Sequence, residues 1–157
     1  MSTYLTVEDF IALFGEREVL AIAGIGGPNS AGGRQVDRPR MQAAIDRAAS
    51  LADGHVLARF PQLAQMPAAD IPSALKGAVA DIARWYLRDE TGDAGVKDDV
   101  VRKRYEDALA YLRGVQEGRI DLASDAPELA GAADGPVGRV HADMPPSRVA
   151  GAMRGWR

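Results

Sequence analysis

The sequence contains no cysteine, and this absence excludes disulfide bonds, thiol nucleophiles and cysteine-ligated metal sites. It also lacks any apolar run near the roughly 18 residues that are needed to cross a bilayer. The first residues carry neither a basic region nor a long apolar segment, so we expect no signal peptide. These absences predict a soluble protein that is made in a reducing compartment and has no membrane partner.

Positive charge is scarce, because 19 basic side chains oppose 22 acidic ones and the net charge is −3. This balance disfavours a free regulatory protein that holds duplex DNA by phosphate contacts. The charge is unevenly divided: residues 1–135 hold 15 basic and 21 acidic side chains (−6), whereas residues 136–157 hold four and one (+3). Two interpretations of the basic segment stay open: it docks on an acidic partner, such as a neighbouring copy, or it is a solvated, disordered end of the chain.

Large apolar side chains are concentrated in the first three-quarters of the chain. Of the 45 Val, Ile, Leu, Met, Phe, Trp and Tyr residues, 38 lie in residues 1–122 and seven in residues 123–157. A chain of 157 residues is long enough for one domain. We therefore predict a helical domain over 1–122 and an extended C-terminal arm over 123–157.

Four segments repeat apolar residues every three or four positions, which is the spacing of amphipathic helices. They begin near Thr6, Asp37, Pro72 and Asp98 and end near Gly15, Phe60, Asp89 and Gly118. Residues 16–23 fit either a short helix or a strand. The predicted fold class is all-α: a small bundle of three main helices plus a short N-terminal helix, with a long Gly-rich loop and an extended C-terminal arm.

The Gly-rich segment, residues 24–36, contains five glycines and one proline, a density that predicts a mobile loop. Its Gly27-x4-Gly32 spacing matches a phosphate-binding loop, but Gly33-Arg34 follows where Lys and a hydroxyl residue are required. An alternative function, a small nucleotide-binding protein or enzyme that uses residues 24–33, therefore has weak support. Titration with nucleotides and Mg²⁺ would distinguish it.

We expect this loop to contact a partner instead. The dinucleotide-binding pattern also fails there, because its third glycine position holds Asn29. The predicted interface residues are Gly26, Gly27, Pro28, Asn29, Gly32 and Gly33.

No local pattern indicates catalysis or metal binding. His55 and His141 lie in separate segments without a zinc-ligand spacing, and no serine stands in a nucleophile motif. The run Arg102–Arg104 is followed by acidic residues, so a solvated face or an intersubunit salt bridge explains it better than a DNA contact. We predict no catalytic, metal-binding or cofactor-binding residue and no enzymatic activity.

Several short motifs occur in an order that resembles a known family over roughly residues 3–122. They are Tyr4-Leu5-Thr6 with Asp9-Phe10-Ile11, the run His55 to Pro61, Ile71-Pro72 leading to Asp81 to Leu87, Arg104 to Ala108, and Gly118 to Leu122. This set resembles the Mu-like phage and prophage neck proteins, a domain of unknown function similar to the head–tail connector (adaptor) proteins of tailed phages. Residues 24–36 lack the acidic, calcium-loop-like segment of many members, so no metal is expected.

The resemblance implies a structural virion protein in the neck of a tailed phage or phage-like particle, made in the host bacterial cytoplasm. Such adaptors form a homo-oligomeric ring, commonly a dodecamer, between the portal protein and a tail-side neck or tail-terminator protein. Double-stranded DNA passes through the lumen without sequence-specific binding. We expect the arm to dock on the portal or an adjacent subunit through Arg139, Arg148, Arg154 and Trp156, since arginine and tryptophan are favoured at hot spots.

Overall fold

The structure is a computed structural model that describes residues 4–27, 33–89, 96–122, 126 and 129, with residues 96–98 described by their backbone only. The described residues form five α-helices, a 3₁₀ turn and one two-stranded ribbon, so the predicted all-α class is confirmed. The helices are α1 (Val7–Phe14), α2 (Glu16–Ala23), α3 (Arg38–Val56), α4 (Ser73–Asp89) and α5 (Val96–Gln116). The 3₁₀ turn is Pro61–Gln65, and the strands are β1 (Gly24–Ile25) and β2 (Gln35–Val36).

Two short helices open the chain. The Thr6 hydroxyl accepts a hydrogen bond from the Asp9 backbone N–H at 3.1 Å, and the Asp9 carboxylate accepts one from the Thr6 N–H, which is the predicted capping box. Gly15 has φ +81°, a value that favours glycine, and it ends α1 immediately before α2. Residues 16–23, which fitted either structure, are helical because Val19 and Ile22, three positions apart, are buried together.

Helix α3 is the long helix predicted after Asp37, whose carboxylate accepts from the Arg40 N–H at 3.1 Å. Its predicted apolar face is buried: Met41, Ala44, Ile45, Ala48, Ala52 and Val56. The helix ends at Val56, four residues before the predicted end at Phe60. The difference arises because the chain tightens into a turn that buries the Phe60 ring before Pro61 starts the 3₁₀ turn.

Helices α3, α4 and α5 pack together as the main bundle. The Arg40 side chain at the start of α3 reaches the Leu87 carbonyl at the end of α4, so these two helices are antiparallel. His55 and Gln116 bring the last turns of α3 and α5 together, so the C-terminal end of α5 lies near the start of α4. The main bundle core includes Met41, Ile45, Leu63, Leu75, Ile82, Leu87 and Leu112. None of the described helices is long and apolar enough to cross a membrane.

The core extends past the predicted domain boundary at residue 122. Gly118 (φ +79°) ends α5, and the chain folds back to bury Leu122. Ala126 and Leu129 continue this burial, with exposures of 3% and 0%, and their backbone N–H groups bond to the carbonyls of Leu122 and Ala126. Ala126 and Leu129 thus belong to the core of the bundle, a burial that the predicted arm did not include. The remainder of residues 123–157 lies outside the described part of the chain.

The ends of the predicted loop at residues 24–36 are paired. Gly24 stands opposite Val36 and Ile25 opposite Gln35 in an antiparallel ribbon, and the Asp37 N–H donates to the Ala23 carbonyl at 2.7 Å. The prediction of a mobile loop did not anticipate the pairing of these four residues. Backbone hydrogen bonds hold so short a ribbon, so it tolerates the glycine content that would weaken a central strand.

Candidate docking surfaces

Three of the six predicted loop-interface residues are described. Gly26 and Gly33 have φ values of +81° and +66°, which non-glycine side chains rarely adopt, and they flank the two paired strands. Gly27 follows Gly26, and the side chain of Ile25 beside them is 51% exposed. This end of the hairpin therefore presents glycine backbone and one exposed apolar side chain. Pro28, Asn29 and Gly32 lie outside the described residues.

Gly24 fixes the hairpin against α2. A Cβ atom at this position would lie 2.2 Å from the Leu20 carbonyl oxygen and 2.7 Å from the Arg34 Nε atom. A shallow cleft of about 580 Å³ beside it is lined by Glu16, Arg17, Leu20, Ala21 and Arg34.

The nucleotide-site alternative required a strand before the Gly-rich segment. Residues 16–23, which fitted either a helix or a strand, form α2, and the residues that follow pair in an antiparallel ribbon. A phosphate-binding loop of the kind considered connects a strand of a parallel sheet directly to a helix. The described geometry does not build that connection.

An ion cluster joins α2 to α4. The Glu18 carboxylate accepts hydrogen bonds from Arg84 through Nε at 2.7 Å and through Nη2, and from Arg88 Nη2 at 3.0 Å. The three side chains are only 27%, 14% and 16% exposed. Burial would raise the pKa of Glu18, but the hydrogen bonds and charges of Arg84 and Arg88 outweigh it and hold that pKa below its ordinary value. Glu18 is therefore ionised at neutral pH and ties the two helices together.

Asp81 lies one turn before Arg84 on α4. Its Oδ1 atom is buried, makes no hydrogen bond and lies 3.9 Å from Arg104 Nη1 of α5. Burial raises the pKa of Asp81 above its ordinary value, against the opposing attraction of Arg104 and Arg84. A buried carboxylate oxygen at the α4–α5 contact therefore has an arginine nearby but no hydrogen bond.

An aromatic–arginine patch lies where α3, α4 and α5 meet. The rings of Trp85 and Tyr105 stack with centroids 5.5 Å apart, and Tyr86 meets Tyr105 at 6.3 Å. The Arg47 guanidinium lies 4.1 Å from the centre of the Tyr86 ring. Burial raises the pKa of Tyr86, although all three rings remain partly exposed. Tryptophan, tyrosine and arginine are the residue types enriched at binding hot spots, which makes this patch a candidate interface.

The basic run Arg102–Arg104 is solvent-exposed, as one of its two predicted explanations required. Arg102 lies 3.6 Å from Asp99 and 3.9 Å from Glu106, so its charge is largely balanced within α5. Over the described ranges, no three His, Asp or Glu side chains cluster to hold a metal ion.

An open apolar groove between α1 and the start of α4 was not predicted from the sequence. The groove measures about 570 Å³ and is lined in part by Leu5, Asp9, Ala12, Leu13, Lys76 and Gly77. Leu13 is 56% exposed. One feature of the sequence could have indicated it: Leu13 is a large apolar residue that does not share the helix face of Val7, Phe10 and Phe14 on α1. The predicted anchors Arg139, Arg148, Arg154 and Trp156 all lie outside the described residues.

The described residues thus form a small all-α bundle that presents an aromatic–arginine patch, an apolar groove and a glycine hairpin. The family model described as Bacteriophage Mu, Gp36 matches residues 4–140. The chain belongs to this family and is a Mu-like phage protein, which confirms the resemblance inferred from the sequence motifs. The match extends beyond residue 122 and includes Arg139 of the predicted anchors. No curated protein matches the chain.

Proposed function

We propose that this protein is a structural subunit of the virion neck, a head–tail connector that forms a ring under the portal and extends the DNA channel. The observation that carries the proposal is the family match over residues 4–140, which includes every described residue. The proposed role is structural, without catalytic turnover.

The distribution of surfaces on the bundle supports a ring subunit. A closed ring is built from head-to-tail contacts, in which one face of a subunit meets a different face of the next. The aromatic–arginine patch is formed by α3, α4 and α5, whereas the apolar groove lies between α1 and the start of α4. Two chemically different surfaces are therefore available for heterologous contacts.

The charge balance supports a conduit for DNA. Residues 1–135 carry a net charge of −6. A lumen lined by carboxylates repels phosphate, so a duplex can slide through it without being held, whereas a basic lining would hold the duplex by counterion release. DNA is accordingly proposed as a passenger that is not read by sequence.

The proposed partners are further copies of the chain, in a ring of twelve as the family resemblance implies, together with the portal and a tail-side neck or tail-terminator protein. The basic segment 136–157 carries +3 and contains the proposed anchors Arg139, Arg148, Arg154 and Trp156. In the assembled neck we assign this segment to the portal or the adjacent subunit.

The proposal is tested by locating the protein in purified particles by antibody labelling and electron microscopy. Label at the junction between capsid and tail is the expected result, and particles without the protein at that junction would contradict the connector role. A companion assay compares portal binding by the full chain with that of a triple variant, R139A/R148A/R154A. The matched control removes three exposed arginines of α5 and its end, R102A/R113A/R119A. We expect loss of portal binding from the first variant only, with unchanged far-ultraviolet circular dichroism in both.

A further inference from the structure

The groove between α1 and the start of α4 has the character of a binding site for an apolar segment. Its walls include the small residues Ala12, Ala69 and Gly77, which leave room for larger side chains. Leu13 on its rim is more than half exposed. A volume of about 570 Å³ is within the range of pockets that enclose a ligand of several large groups.

We propose that this groove binds the chain's own C-terminal segment, residues 136–157, in the isolated subunit. The segment contains six large apolar residues that could fill the groove: Val137, Val140, Met144, Val149, Met153 and Trp156. This inference goes beyond the connector role, because it concerns the free chain and requires no ring.

The end of the described chain lies at the correct end of the bundle. Helix α5 finishes beside the end of α3 through the Gln116–His55 contact, and α4 begins at that same end. The Tyr4 hydroxyl donates to Asp53 near the end of α3 at 2.6 Å, which brings the α1 side of the groove to this end as well. The described chain therefore ends at the same end of the bundle as the groove.

The chain between Leu129 and the segment adds further reach. Residues 130–135 provide six residues, which span about 20 Å when extended. A tether of this length holds the segment at an effective concentration in the millimolar range. Even weak apolar contacts then favour docking within one chain over docking between dilute subunits.

Charge favours the same occupant. The segment carries +3, whereas the rest of the chain carries −6. On the groove rim, hydrogen bonds from Thr6 lower the pKa of Asp9, so this exposed carboxylate stays ionised. The Lys76 ammonium on the opposite side donates to the Ala69 carbonyl at 3.1 Å. Lys76 also attracts Asp9 electrostatically. In the proposed complex an arginine of the segment joins Lys76 at this carboxylate while its apolar neighbours enter the groove.

The first test replaces Leu13 in the full chain by the photo-crosslinker p-benzoylphenylalanine. The matched control places it at Val100 on α5, which is also exposed, at 60% against 56% for Leu13. Irradiation of a mixture of ¹⁴N- and ¹⁵N-labelled protein, followed by mass spectrometry, distinguishes links within a chain from links between chains. We expect links from position 13 to residues 136–157 of the same chain and none of these from position 100. Links between chains, links to other residues, or no links at position 13 would overturn the proposal.

The second test compares Leu13→Glu with Val100→Glu, two exposed positions where a carboxylate leaves the core intact. Trypsin cleavage after Arg148 and Arg154 reports how often the segment is undocked. We expect cleavage to be about tenfold faster in L13E than in the wild type, and unchanged in V100E. Equal cleavage in L13E and wild type, with normal circular dichroism, would refute docking in the groove. That failure would leave the connector proposal intact, since labelling of particles tests it separately.

Discussion

Replacing Glu18 by Gln should destabilise the protein through the ion cluster that joins α2 to α4. The substitution keeps the side-chain volume but removes the charge that pairs with Arg84 and Arg88. A hydrogen bond to a charged group contributes about 1.5–3 kcal/mol. Removal of one partner from a fully buried ion pair costs about 3–5 kcal/mol. Because the three side chains keep 14–27% exposure, water screens part of this cost, and we expect a loss of about 2–3 kcal/mol.

The measurement is urea unfolding at pH 7, followed by circular dichroism at 222 nm. The matched control is Glu8→Gln, which breaks the Glu8–Arg38 ion pair between side chains that are 66% and 60% exposed. Exposed pairs are solvated in both states, so E8Q should leave the free energy of unfolding nearly unchanged. An E18Q loss no larger than that of E8Q would refute the argument that burial gives the cluster its strength.

The pH dependence provides an independent check of the same cluster. The pKa of Glu18 is lowered in the folded protein from an ordinary value of 4.5. Its contribution is therefore present above about pH 4.5 and is lost as the pH falls through the folded pKa. The stability difference between wild type and E18Q should shrink over that acid range. A difference that stays constant down to pH 3 would contradict the assignment of the lowered pKa to Glu18.

Three further substitutions test local features by urea unfolding. Gly24→Ala should lower the free energy of unfolding by about 2 kcal/mol or more, because its Cβ would lie 2.2 Å from the Leu20 carbonyl oxygen. Gly27→Ala is the control and should be nearly neutral, because its Cβ would meet nothing within 4 Å. Similar losses of stability in the two variants would refute the clash. Gly54→Ala lies in the last turn of α3 with open space around it. It should raise the free energy of unfolding by up to about 0.5–1 kcal/mol, and a decrease would show an unfavourable contact. Asp81→Asn should raise the free energy of unfolding by up to about 1 kcal/mol at pH 7. Because the pKa of Asp81 is raised in the folded protein, ionised Asp81 destabilises the fold as the pH rises above 3.8. Equal effects of the substitution at pH 3 and pH 7 would contradict this reasoning.

Local features of the fold were predictable from sequence because neighbouring residues determine them. The Thr6–Asp9 capping box needs only a hydroxyl and a carboxylate three residues apart, and both hydrogen bonds are present. The apolar stripe of α3 could be read from residue spacing because a helix of nineteen residues repeats its face several times. Residues 16–23 were too few for that test, so helix and strand stayed equally compatible until their burial was known.

The contacts between helices were not predictable because they join residues that are far apart in the sequence. Glu18 is separated from Arg84 and Arg88 by 66 and 70 positions, and no local pattern links a glutamate of a short helix to two arginines of a later one. Leu129 stands in a proline- and glycine-rich region whose composition predicts an extended chain, yet it is fully buried. Composition describes the average character of a segment, so it does not reveal that one apolar residue of that segment, Leu129, is buried in the core.

The same ion cluster links two of the candidate surfaces. Helices α1 and α2 are joined at Gly15, and Glu18 holds this pair to α4 while the Arg84 guanidinium lies 4.7 Å from the centre of the Phe14 ring. The position of α1 against α4 defines the apolar groove, and the position of α2 supports the hairpin through Leu20 and Gly24. A contact that fixes both surfaces to the bundle holds them in constant relative geometry, which the proposed ring would require of every subunit.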